Sequence, residues 1–209
     1  MPPAVAGRPR DARGFPIPAI TPWADGTPQF GLTSTARTFL CAFERRCSIC
    51  AATMPPGSVW RVVGGEEADA IGDAITEGRA FRNAAPTAEA PGHRACMLYA
   101  AMVCPWLTRP NARRGQDAGI AGLSRGARRG HGGAVVGFRT FDFSYSAEPG
   151  VLFRFDGVVE FLPHEVGTEH AEALRSAIPG DSTMDSPPYL LADEQLADRT
   201  FAAYLNQLL

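Results

Sequence analysis

Four residues in this chain carry donor atoms at spacings suited to a metal: Cys47 and Cys50, then His93 and Cys96. Each pair is spaced i and i+3, and the pairs are separated by the 42 residues from position 51 to 92. Thiolates and an imidazole match the borderline-soft character of Zn²⁺, and a Cys₃His set fills a tetrahedral sphere. A filled sphere leaves no position for an activated water, so the chemistry it points to is structural rather than catalytic. The plainer alternative is a set of unrelated buried thiols with a surface histidine.

Other residues could also do chemistry. Cys104 follows Cys96 by about two helical turns and stands before Pro105. It reads as a small core residue; the sharper alternatives are an extra ligand, a reactive thiol, or a thiolate to haem iron. Cys41 reads as a buried helix residue. His164-Glu165 and Glu169-His170 form a second cluster. Read as one helix, it places the two histidines about 240° apart around the axis, on different faces, which is not the His-Glu-x-x-His zinc spacing. The expectation there is a solvated first helical turn, with Glu165 favoured by the helix dipole. His131, in Arg-Gly-His-Gly-Gly, is a loop histidine that could act as an acid or base.

The elements that must position these groups follow from pattern. Residues 1–32 carry seven prolines and the turn signal Asp25-Gly26, and read as an extended arm with Phe15, Ile17, Ile20, Trp23 and Phe30 free to lie on the core. Ser34 or Thr35 offers an N-cap for a helix through Arg46, with Ala36, Phe39, Leu40 and Phe43 as its apolar face. That helix delivers the chain to a knuckle at Cys47–Cys50. Ser58–Val63 reads as a strand, and a short helix is expected near Glu67–Glu77. From His93 a helix runs to Cys104-Pro105, so His93 and Cys96 lie in its first turn.

Residues 109–133 hold seven glycines and an arginine cluster, and read as a loop. Ala134–Tyr145 then alternates as a strand. Asp156-Gly157, flanked by Val151–Phe155 and Val158–Leu162, is a two-residue hairpin signal. His164–Ile178 and about Asp193–Leu208 read as the closing helices. The division expected is 1–32 (arm), 33–108 (metal-binding region), 109–133 (Arg/Gly loop) and 134–209 (hairpin and C-terminal helices). The fold class expected is α+β: a zinc-stapled region packed with a small antiparallel sheet and flanking helices.

The order knuckle, insert, then a helix carrying two ligands in its first turn resembles a treble-clef zinc finger. Some treble-clef proteins are His-Asn-His nucleases, but no histidine lies between Cys50 and His93 to serve as the base. More widely, Arg46-Cys47-x-x-Cys50, Pro91-x-His93-x-x-Cys96, Cys104-Pro105-Trp106-Leu107 and the Phe153–Glu165 segment resemble an uncharacterised family from actinobacteria and their phages. The likeness runs over about residues 8–178, with Ala51 where that family reads Gly. It implies a shared metal-binding core and no particular activity.

Composition bounds the function. All 20 basic residues are arginine, which excludes a Walker-type phosphate loop and a Schiff-base lysine. A net charge of −2 exerts no global pull toward nucleic acid or anionic membrane. No apolar run approaches the roughly 18 residues of a membrane span. Five cysteines without a secretory signal point to a reducing, cytoplasmic location. Two functions remain open. One is a zinc-binding accessory or binding module that contacts nucleic acid through Arg113, Arg114, Arg125, Arg128 and Arg129, or a protein partner. The other is a small metal- or haem-dependent enzyme using Cys104 and a histidine.

Overall fold

The computed structural model describes residues 1–81, 86–108, 132–180 and 189–208. The arm opens with a four-residue helix, α1 (Pro3–Ala6), and forms a miniature hairpin from β1 (Trp23–Ala24) and β2 (Thr27–Pro28). Asp25 and Gly26 connect them with φ of 48° and 72°, the positive pair a two-residue turn requires. The arm is less loosely attached than its proline content suggests: Val5, Ile17 and Ala19 are fully buried. Buried Arg8 donates to the carbonyls of Ile17, Tyr189 and Leu190, and buried Arg37 donates to those of Ala19 and Leu190 and pairs with Glu194. Two arginines thus tie the arm to the segment that leads into the last helix. Phe15 and Phe30 stay at the surface.

Ser34 caps α2 (Thr35–Phe43), its hydroxyl accepting from the Arg37 amide. The chain then passes the knuckle and enters β3 (Val59–Gly64), α3 (Gly65–Thr76), α4 (Arg94–Val103) and the short α5 (Pro105–Thr108). Two long strands, β4 (Gly133–Ser146) and β5 (Gly150–His164), lead to α6 (Ala171–Gly180) and α7 (Glu194–Leu208). The sheet is antiparallel in the order β3-β4-β5. The chain is therefore an α+β protein, as expected.

Side chains alternate across the sheet. Val59, Val63, Phe138, Phe153 and Phe155 join Ile71 of α3 and Phe39 of α2 on one face. Val62, Val135 and Leu162 meet Leu98 of α4 and Leu174 of α6 on the other. Helix α7 closes the first side by packing along α2, where Phe201 lies 5.0 Å from Phe39.

Two sequence expectations are corrected here. Asp156-Gly157 is not a hairpin turn. Both residues lie inside β5, and the strands reverse between Ser146 and Gly150. The register slips between Gly137 and Phe138, so β5 carries one extra residue, and Gly157 holds φ +66° beside it. Asp-Gly supplies a left-handed residue, and a bulge uses that as readily as a turn does. Likewise His164 does not start a helix: it ends β5, and a 3₁₀ turn over Thr168–His170 intervenes before α6.

Arg61 sits on the apolar face, 1% exposed, with its guanidinium 4.8 Å from the Phe155 ring and paired to Glu67 and Glu89. Removing one partner of a buried pair costs about 3–5 kcal/mol. Glu67 and Glu89 keep 29% and 49% of their side-chain surface, so they can turn to water once the cation is gone. Packing between the rings should then dominate the loss. Arg61→Ala is expected to cost about 3–5 kcal/mol in urea unfolding and Arg61→Met less than half of that; equal losses would place the weight on charge instead.

Candidate metal centre

Helix α2 stops at Phe43 because the next residues leave helical space: Arg45 holds φ +50°. Cys47 and Cys50 then form a tight loop, with the Cys47 amide donating to the Ala52 carbonyl and the Ala51 amide to the Cys47 carbonyl, both at 2.9 Å. Ala51 takes φ +65°, a left-handed position that glycine occupies at least cost. Arg46 braces the loop from outside. It donates to the Ala51 carbonyl, pairs with Glu44 at 2.6 Å and stacks on Tyr189 at 4.3 Å.

The second pair arrives on α4, with His93 as its N-cap residue and Cys96 in its first turn. Gly92 bridges to Trp60 of β3 through two hydrogen bonds, which sets the depth at which α4 begins. A Cβ on Gly92 would lie 2.8 Å from Cys47 Sγ and collide with Met97, so only glycine lets the chain pass this close. The Ser48 amide and hydroxyl reach the Pro91 and Ala90 carbonyls, joining knuckle and helix entry directly.

All four ligand atoms lie within 4.8 Å of one another, and all four residues are buried. His93 Nδ1 is 3.5 Å from Cys50 Sγ and 3.8 Å from Cys96 Sγ. Metal–ligand bonds of about 2.0 Å for nitrogen and 2.3 Å for sulfur at tetrahedral angles put N and S about 3.5 Å apart. His93 Nε2 lies 3.1 Å from the Thr53 carbonyl. A carbonyl only accepts, so Nε2 donates to it and Nδ1 is the nitrogen facing the thiols, able to ligate a metal once it gives up its own proton. The donor set and spacing fit a metal ion.

The electrostatics agree. Burial opposes charge on Cys47, yet hydrogen bonds from Cys50, Cys96 and His93 hold its thiol well below the usual range. The His93 amide also donates to Cys47 Sγ at 3.4 Å, as a helix N-terminus favours. Hydrogen bonding to Cys47 in turn pushes Cys50 and Cys96 up. His93 is raised to about 11: burial opposes its charge, and Cys47 and Cys50 outweigh it. Four donors this close, competing over protons, form a site that a dication would resolve by displacing those protons. Arg8 is lowered to about 10 by burial and by Arg37, while Cys41, Cys50 and Cys47 act the other way.

The remaining candidates are not at this centre. Cys41 is buried in α2, and its Sγ lies 4.0 Å from the Cys47 carbonyl. Cys104 is the C-cap residue of α4 and borders a different cleft. Arg113, Arg114, Arg125, Arg128, Arg129 and His131 lie outside the described residues.

His164 and His170 form a pair, although the sequence pattern predicts them on different faces of a solvated helical turn. Both are buried, and His170 Nε2 lies 2.9 Å from His164 Nδ1 with the rings edge-on. The intervening strand end and 3₁₀ turn bring them together, and Gly167 at φ +85° makes that reversal. Burial lowers His170 below its usual range, against the pull of Glu169, with Arg94 adding to the lowering. One imidazole must donate and the other accept, so double protonation breaks the bond.

The sign for stability follows. A folded-state pKa below the unfolded value of about 6.5 gives stability that is complete above pH 6.5 and lost as pH falls through the window beneath it. The loss is at most about 1.4 kcal/mol per pH unit for one proton. His170→Gln is expected to flatten the slope of unfolding free energy between pH 6.5 and 5.5 relative to the unmodified chain. An unchanged slope would remove His170 as the titrating group.

Comparisons of the chain with protein-family models, with curated proteins and with solved structures give no match, so its function is read from the geometry above.

Proposed function

We propose that the four donors hold a structural Zn²⁺ in a treble-clef-like arrangement, and that the chain acts as an accessory module binding nucleic acid. The observation that supports the zinc reading is that four buried protein donors lie within 4.8 Å of one another, a set that would fill a tetrahedral sphere and leave no coordination position for a substrate. In place of the short hairpin of a compact finger, β3 and α3 lie between knuckle and helix. The thiolates require a reducing compartment.

The nucleic-acid reading is supported by Arg113, Arg114, Arg125, Arg128 and Arg129, clustered in a chain that is otherwise slightly acidic. The enzyme reading has less support, because among the described residues no histidine lines the cleft that Cys104 borders.

Fluorescence anisotropy with single- and double-stranded oligonucleotides tests the partner. Binding should weaken steeply between 50 and 200 mM salt, each phosphate contact adding about −0.7 to −0.9 to the slope of log K against log salt. Replacing the five arginines by glutamine should abolish it. Absence of salt-dependent binding would exclude nucleic acid and leave a protein partner for this module.

A further inference from the structure

The stretch of α4 beyond Cys96 that carries Tyr99, Ala100 and Val103 forms, with the knuckle and the proline-rich arm, a cleft of about 510 Å³. Its walls are chiefly apolar: Ile49 from between the two knuckle cysteines, Ile20 from the arm, and Tyr99 and Val103 from α4. Phe15 and Phe30 line it while remaining 36% and 44% exposed.

Arg13 lies between them. Its guanidinium carbon sits 5.3 Å from the Phe15 ring and 5.6 Å from the Phe30 ring. Nε is taken by Asp11 at 2.8 Å, and the Nη groups make no hydrogen bond among the described residues. Among the described residues no aspartate or glutamate lines the cleft, and the one ionised lining side chain there is a cation with spare donors. Volume, apolar walls and one convergent charged group are what a small-molecule site requires.

We infer that this cleft binds a small molecule with an apolar aromatic body and a single anionic group, the body between Ile49, Tyr99 and the two phenylalanines and the anion on Arg13. The Arg13 Nη groups suit a carboxylate, sulfonate or phosphate. The inference is independent of which metal the four donors hold and of the nucleic-acid reading.

Cys104 supplies a built-in reporter. It borders the cleft and is partly exposed, whereas Cys41, Cys47, Cys50 and Cys96 are buried. N-ethylmaleimide should therefore modify Cys104 first, and a cleft ligand should slow that reaction.

The test titrates the full chain with two fluorescent probes, anionic 8-anilinonaphthalene-1-sulfonate and neutral N-phenyl-1-naphthylamine. Both are expected to saturate at one per chain and to protect Cys104. Arg13→Ala should weaken the sulfonate about tenfold or more and the neutral probe under threefold, as expected for a lost charge-assisted contact. Ala100→Trp on α4 and Thr33→Trp on the opposite wall should each abolish both. Metal content and far-UV circular dichroism identify a variant that fails to fold, and the other tryptophan then decides. The inference is overturned by absence of saturable binding, by binding that survives folded tryptophan variants, or by equal weakening of both probes in Arg13→Ala.

Discussion

Replacing Cys47 by serine is expected to release the metal and abolish the cooperative unfolding transition. A structural Zn²⁺ site contributes roughly 10–16 kcal/mol at neutral pH. The whole stability of a domain is about 5–15 kcal/mol. A serine hydroxyl stays protonated and does not replace a thiolate, so losing one ligand removes most of that contribution. The effect should spread beyond the knuckle, because Cys47, Cys50 and Cys96 belong to the same buried cluster as Phe153 and Phe155 of the sheet. Metal analysis and thermal circular dichroism check the outcome. Cys104→Ser is the matched comparison: it lies in a separate cleft and is expected to keep one metal per chain and an unchanged transition.

Gly167→Ala is expected to lower stability by about 3–4 kcal/mol while leaving the metal in place. Gly167 holds φ +85°, which costs an L-residue about 1–2 kcal/mol. A Cβ there would also overlap the Ala101 carbonyl oxygen and lie 2.8 Å from its carbon, and backbone inside α4 cannot rotate away as a side chain could. The midpoint of thermal unfolding should fall by on the order of 10 °C. Since His164 and His170 are brought together by this reversal, the variant should also lose the pH dependence assigned to His170. Retained metal with a lowered midpoint separates this turn from the four-donor centre. Loss of metal as well would show that the two ends of α4 move together.

These two sites differ in how far the sequence reveals them. The Cys/His set was legible because ligand spacing is local: knuckle and first helical turn each place two donors within four residues. Ser34 as an N-cap, β3, and α4 ending at Cys104 were legible for the same reason. What escaped depends on distant partners. Asp156-Gly157 carries the same local signal in a bulge as in a turn, and only the continuing pairing of β4 with β5 distinguishes them. The histidine pair requires a strand to end and a 3₁₀ turn to begin between residues that a helical reading splays apart. The close approach of Gly167 to Ala101 is a contact between elements, invisible to any local pattern. The same holds for Arg8 and Arg37, whose carbonyl partners at 189 and 190 lie more than 150 positions away.

The central claim is a closed S₃N metal site, and the absorption spectrum of the cobalt(II)-substituted protein tests it most directly. The account predicts one cobalt per chain, intense tetrahedral d–d bands with thiolate charge transfer, and no change when azide is added, because no coordination position is open. Weak d–d bands of a five- or six-coordinate ion, a spectrum that responds to azide, or failure to bind cobalt at all would contradict it.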